Sequence, residues 1–123
     1  MFSKRSCAFG LVLCLATGMV AAQQPPAATA ADDEEQLDTA LRKFGYVSGQ
    51  AYQCHAKDQQ AKVERTALDV ATNVLRLFGS DRAFFYAAAF GAGASGDIDR
   101  QKCPATIKEA SDMVAKLQVL STR

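Results

Sequence analysis

Apolar residues recur every three or four positions along most of this chain, and that spacing restricts the folds open to it. Leu37, Leu41 and Phe44 begin one such series, and Val70 and Val74 belong to a second. This spacing places apolar side chains on one face of a helix, whereas a half-buried strand needs strict alternation. The sequence contains no such alternation. We therefore predict an all-α fold, a small four-helix bundle of orthogonal or antiparallel form.

The predicted helices lie at about residues 32–53, 58–78, 82–92 and from 104 onward. The first begins with four acidic residues, which suit the positive end of a helix dipole. A glycine follows the second helix, where helices commonly stop. A proline opens the fourth, where its fixed φ and missing N–H suit the first turn. The glycine-rich run 91–96 is predicted to end the third helix and to open a loop.

The third predicted helix has almost no polar face. Residues 83–90 read AFFYAAAF. A helix that is apolar all round is usually enclosed by other elements, so we expect this one to be central and buried. It is too short to cross a bilayer, which needs about 20 residues.

Two glycines, Gly45 and Gly49, stand one turn apart inside the first predicted helix. Glycine costs a helix up to about 1 kcal/mol relative to alanine, so the pair indicates that something approaches the backbone closely. Close packing of a second helix is the simpler interpretation, and a bound ligand is the alternative.

The N-terminus has the three parts of a secretory signal peptide. Lys4 and Arg5 form a positive region, an apolar stretch follows at 8–20, and small residues precede Gln23. We expect residues 1–22 to be removed after Ala22, giving a periplasmic or secreted protein. A buried N-terminal helix is the alternative.

After that removal the chain is predicted to consist of a tether and one domain. Residues 23–31, QQPPAATAA, have little to bury and are expected to form a flexible linker. Residues 32–123 form the helical domain. Without the two basic residues of the leader the formal net charge changes from +1 to −1. That balance offers no general attraction to nucleic acid, and we expect no membrane span in the mature chain.

Cys54 and Cys103 are the cysteines that remain in the mature chain. In an oxidising compartment an even number of cysteines favours disulfides, and two cysteines allow one intramolecular pairing. Two free thiols or an intermolecular bridge are the alternatives. Closing a loop of this length stabilises a fold by about 4 kcal/mol in the chain-entropy model.

No pattern for catalysis is visible. His55 is the single histidine, and the glycine–serine run at 93–96 lacks the nucleophile-elbow spacing. Cys54, His55 and Cys103 could bind a metal only if the two cysteines were reduced thiols. We therefore predict that the protein is not an enzyme and has no metal site and no cofactor.

The aromatic residues contribute the largest apolar surface in this small domain. They supply either core or an exposed apolar patch, and such patches are typical of binding surfaces. The candidate binding surface consists of Phe84, Phe85, Tyr86, Phe90 and Tyr46.

Two families of bacterial periplasmic proteins are similar in layout. The acid-stress chaperones resemble this chain in signal peptide, size and the Cys54/Cys103 frame. The helical immunity proteins against amidase effectors resemble it in Gln53-Cys54 closing an early helix and Lys102-Cys103 opening the last. Both resemblances imply a protein-binding module, chaperone-like or inhibitor-like, with another periplasmic protein as its partner. A carrier of a small hydrophobic ligand or lipid, with a pocket around the third helix, is the alternative.

Overall fold

The computed structural model describes residues 29–123, and these residues form four α-helices without a β-strand. The all-α four-helix prediction is confirmed. The predicted signal peptide, residues 1–22, lies outside the described residues. The helices, in chain order, are α1 Ala30–Cys54, α2 Lys57–Phe78, α3 Ser80–Ser95 and α4 Cys103–Ser121, with a 3-10 turn at Arg100–Lys102.

Helix α1 begins two residues earlier than predicted because Thr29 caps it. The Thr29 hydroxyl accepts a hydrogen bond from the Asp32 backbone N–H, and the Asp32 carboxylate accepts one from the Thr29 N–H at 2.9 Å. This reciprocal pair is a capping box, and its hydrogen bonds hold the pKa of Asp32 below its usual value. The predicted tether therefore gives up residues 29–31 to the helix and its cap.

Helices α1 and α3 form the closest pair in the bundle and run in the same direction. Arg82, near the start of α3, forms an ion pair of 2.8 Å with Asp38 in the first half of α1. At the other end, Gln53 of α1 contacts the last turn of α3. Because α1 and α3 are parallel, the intervening helix α2 runs in the opposite direction and brings the chain back to the end where α1 begins.

Glycine makes that approach possible. A Cβ atom added to Gly45 would collide with the carbonyl oxygen of Tyr86, and one added to Gly49 would lie 2.6 Å from the backbone nitrogen of Ala94. On the opposing helix, a Cβ at Gly93 would collide with the carbonyl oxygen of Tyr46. The interpretation of close helix packing is confirmed.

Helices α2 and α4 complete the bundle on the α1–α3 pair. Helix α2 packs mainly on α3, and α4 packs mainly on α1, where Lys43 and Glu109 form an exposed ion pair of 2.9 Å. All four helices contribute to one core. Its buried residues are Leu41, Phe44, Val70, Val74, Tyr86 and Leu117.

The turn between α2 and α3 consists of Gly79 alone. Its φ of 94° lies in the region that side chains disfavour, which explains why a glycine stands there. Helix α2 ends at Phe78, as its following glycine predicted.

Helix α3 is longer than predicted. It continues through Gly91 and Gly93 to Ser95 and is capped by Gly96, so it ends at the last glycine of the run and not near its first. The Gln53 side-chain amide donates 2.7 Å hydrogen bonds to the carbonyl oxygens of Gly93 and Gly96. Contact with α1 therefore provides hydrogen-bond donors for carbonyl groups at the end of α3, and it offsets the low helix propensity of the α3 glycines.

The disulfide joins Cys54, the last residue of α1, to Cys103, the first residue of α4. The Cα atoms of the two cysteines lie 5.4 Å apart. The predicted pairing is confirmed, and the bond fixes the end of one antiparallel helix to the beginning of the other.

Candidate binding site

The five residues predicted to form a binding surface are separated by the structure. Phe84 is 67% exposed and Tyr46 is 42% exposed, whereas Phe85 and Phe90 are half-buried. Tyr86 is only 1% exposed. These residues therefore do not form one surface.

Tyr86 belongs to the core, which corrects its assignment to the surface. Its backbone carbonyl faces Gly45, so it lies on the side of α3 that meets α1. Its ring packs edge-on against Phe44, with the ring centroids 5.1 Å apart. Any variant that places a charge at this position would bury that charge.

Phe85 and Phe90 are engaged within the chain. The guanidinium of Arg42 lies 4.0 Å from the centre of the Phe85 ring, a cation–π arrangement. The Phe90 ring packs edge-on against Tyr52 at 6.0 Å. Of the predicted surface, Phe84 on α3 and Tyr46 on α1 remain largely open to solvent.

The outward side of α3 presents a surface that we call the α3 outer face. All its members are exposed: Phe84, Ala87, Ala88, Gly91 and Ala92. Between Arg82 and Ser95 the helix carries no polar side chain except Tyr86, which is buried. This corrects the expectation that α3 is enclosed, because one side packs on α1 and α2 while the other is apolar and uncovered.

Helix α2 extends this surface. Leu68 is 65% exposed and lines, together with Ala87, a shallow depression between α2 and α3. Leu75, two turns further along α2, is 50% exposed. Leu68 is therefore accessible next to the α3 outer face, and Leu75 is a further exposed apolar side chain of α2.

A second feature, the α2–α4 cleft, lies where helices α2 and α4 separate. Its volume is about 280 Å³, and all four helices contribute to its wall. Val63 and Val70 line it from α2, and Ile107 and Val114 line it from α4. The base is formed by α1 and α3, including Ser48, Tyr86 and Phe90.

Two hydroxyl groups, those of Ser48 and Tyr86, stand at the buried base of this cleft. Ser48 is 7% exposed, and its Oγ atom has no hydrogen-bond partner among residues 29–123. The Tyr86 hydroxyl lies close to it without adopting hydrogen-bond geometry. Burial raises the pKa of Tyr86 to about 12, and the nearby serine hydroxyl opposes part of that rise. The phenol is therefore neutral at ordinary pH.

No feature of the sequence indicated the cleft. Ser48 lies within the inward stripe of α1, where a serine is inconspicuous among apolar neighbours. The cleft results from the distance between α2 and α4, two helices that are not consecutive in the chain. Apolar spacing predicts which side of a helix faces inward, but it does not predict how closely two inward sides meet.

Within residues 29–123, no group of three or more His, Cys, Asp or Glu residues is arranged to hold a metal ion. The same part of the chain contains no helix both long and apolar enough to cross a membrane. His55 lines the cleft at the end of α1, but no aspartate or glutamate lines it.

Comparison of the chain with protein-family models, with curated proteins and with solved structures found no match.

Proposed function

We propose that this chain is an exported protein-binding module that contacts its partner through the α3 outer face. The observation that carries this proposal is the exposure of an uncharged helix face. A surface helix of a globular protein normally carries polar and charged residues toward solvent. Between Arg82 and Ser95 the solvent side of α3 offers only Phe84 and small apolar residues, with exposed Asp81 and Ser95 at its two ends.

The chemistry of this face favours a protein partner. Its alanines and glycine allow a second backbone to approach, and Phe84 projects as a large apolar side chain. Aromatic residues surrounded by small ones are typical of interface centres. Helices that lie on membranes instead combine an apolar face with a face rich in lysine and arginine. Helix α3 has a single basic residue, Arg82, and that residue is paired with Asp38.

Export rests on the leader-like N-terminus and on the pairing of Cys54 with Cys103. Disulfides persist in the periplasm and outside the cell, whereas they are rare in the cytosol. The proposed partner is therefore another exported protein, bound in a chaperone-like or inhibitor-like manner.

Phe84→Asp tests this surface. Because Phe84 is 67% exposed, the substitution should leave the helical circular dichroism and the melting temperature nearly unchanged. It should abolish capture of the partner by the tagged mature protein from a periplasmic extract. Leu120→Asp is the matched control, because Leu120 is also half exposed but lies on α4, and it should retain capture.

Photo-crosslinking identifies the contact directly. A photoreactive phenylalanine analogue at position 84 should crosslink the captured protein, and the same analogue at position 120 should not. Equal crosslinking at both positions, or equal capture by both aspartate variants, would remove the α3 outer face as the binding surface.

A further inference from the structure

The α2–α4 cleft has a size suited to a small molecule. Its volume of about 280 Å³ is nearly twice that of an apolar cavity of roughly 150 Å³ known to hold one benzene molecule. It approaches the lower end of the range for ligand pockets, roughly 300 Å³. Exposed residues of α2 and α4, Thr66 and Ser111, stand at its rim, so a molecule can enter from solvent.

The lining selects against ions. No lysine, arginine, aspartate or glutamate contributes to the wall, which is formed mostly by valine, alanine, isoleucine and phenylalanine side chains. A cation would lose its hydration in this cleft without gaining a carboxylate partner, and an anion would gain no lysine or arginine, since His55 is the one basic residue in the described lining. The cleft therefore suits an uncharged molecule.

Ser48 supplies an independent sign of a ligand. Buried side-chain polar atoms are nearly always hydrogen-bonded in folded proteins, yet the Ser48 Oγ atom finds no partner in the described part of the chain. The residue is more than nine-tenths buried and belongs to the cleft wall. The neutral Tyr86 hydroxyl stands beside it and can donate a hydrogen bond to the same guest.

We propose that the α2–α4 cleft binds an uncharged, largely apolar molecule whose single hydroxyl group hydrogen-bonds to Ser48 and Tyr86. By comparison with the benzene cavity, such a molecule has roughly ten to twelve heavy atoms. The cleft and the α3 outer face are separate surfaces, so this site does not depend on the proposed protein partner.

The bicyclic phenol 2-naphthol is a suitable probe, because it is fluorescent and carries one hydroxyl group. Titration of the mature protein should show saturable binding, and backbone amide NMR shifts should concentrate at cleft residues such as Ala51 and Ala110. Naphthalene, which lacks the hydroxyl, should bind about 2- to 10-fold more weakly, the range expected for one neutral hydrogen bond. The anion 2-naphthoate should bind more weakly than either.

Ser48→Ala isolates the hydrogen bond. The variant should bind 2-naphthol more weakly than the wild type does, but no more weakly than the wild type binds naphthalene, because Tyr86 can still donate a hydrogen bond. Its affinity for naphthalene should not fall. If Ser48→Ala binds 2-naphthol as tightly as the wild type does, the assigned role of the serine is wrong.

A second pair of variants tests the location without changing the core. Ser111→Phe places a ring at the exposed rim and should block 2-naphthol, whereas Ala105→Phe, exposed on the same helix outside the cleft, should bind it normally. Circular dichroism should be the same for both. Amide shifts on the α3 outer face instead of the cleft, or equal binding by the two phenylalanine variants, would overturn the site.

Discussion

At the scale of single residues, the absence of one methyl group at Gly45 lets α1 and α3 meet backbone to backbone. The nearest atom to a Cβ at this position is a carbonyl oxygen of α3, which cannot rotate away as a flexible side chain can. Gly91, by contrast, lies on the exposed side of α3 with open space where its Cβ would be.

Gly45→Ala and Gly91→Ala are therefore expected to change stability in opposite directions. The first should lower the free energy of unfolding by about 1–3 kcal/mol or more, because the two helices must separate. The second should raise it by about 0.5–1 kcal/mol, because alanine is the better helix former. Denaturant titration of both variants beside the wild type measures this difference. Equal effects from the two substitutions would contradict the close contact.

The same contact explains which aromatic residues could not be assigned from sequence. A helix with a polar side reveals its inward direction, but α3 is apolar on every side between Ala83 and Ala94. Nothing in its own sequence distinguishes buried Tyr86 from exposed Phe84. The distinction comes from α1, because Gly45 and Gly49 determine which side of α3 approaches.

At the scale of the elements, the sequence predicted a helix boundary correctly wherever residues at that boundary determine it. Gly79 follows α2, and Pro104 stands in the first turn of α4, both as predicted. The end of α3 was misplaced because a residue from another helix determines it. Gln53 lies 40 positions earlier in the chain than Gly93, so the glycine-rich sequence itself does not indicate that Gln53 stabilises it.

The disulfide acts on two elements at once, so its removal should affect the whole transition. Replacing both Cys54 and Cys103 by alanine is expected to lower the free energy of unfolding by about 2–5 kcal/mol. The midpoint of denaturant unfolding gives this change. Reduced wild-type protein, with its thiols alkylated, should unfold at a midpoint close to that of the double variant.

Intact mass before and after reduction provides the check on the bond itself. Two thiols should become alkylatable only after reductant is added. If the purified native protein already reacts at both cysteines, the expected loss of stability in the double variant has no basis.

At the scale of the whole molecule, the arrangement of helices produces features that no segment contains. The parallel α1–α3 pair leaves α2 and α4 to share a core, and the space between them becomes the α2–α4 cleft. Sequence periodicity predicted the four helices and the inward sides of α1, α2 and α4. It could not predict the cleft, which depends on the spacing of helices that are distant in the chain.

The leader-like N-terminus is expected to be removed when the protein is exported. Cleavage after Ala22 should give a mature protein that begins at or within a few residues of Gln23. N-terminal sequencing of the exported form measures this position. A full-length chain retained in the cell would contradict both the processing and the proposed location of the partner.

Cys54 and Cys103 also close a covalent ring that contains the whole of α2 and α3. Of the described helices, α1 before Cys54 and α4 after Cys103 extend from this ring as tails. A protease that cuts the exposed backbone near Asp97 would open the ring without dividing the molecule, since the sulfur bridge still joins the two fragments. The α3 outer face would remain tied to α1 on one side of the cut and, through the bridge, to α4 on the other.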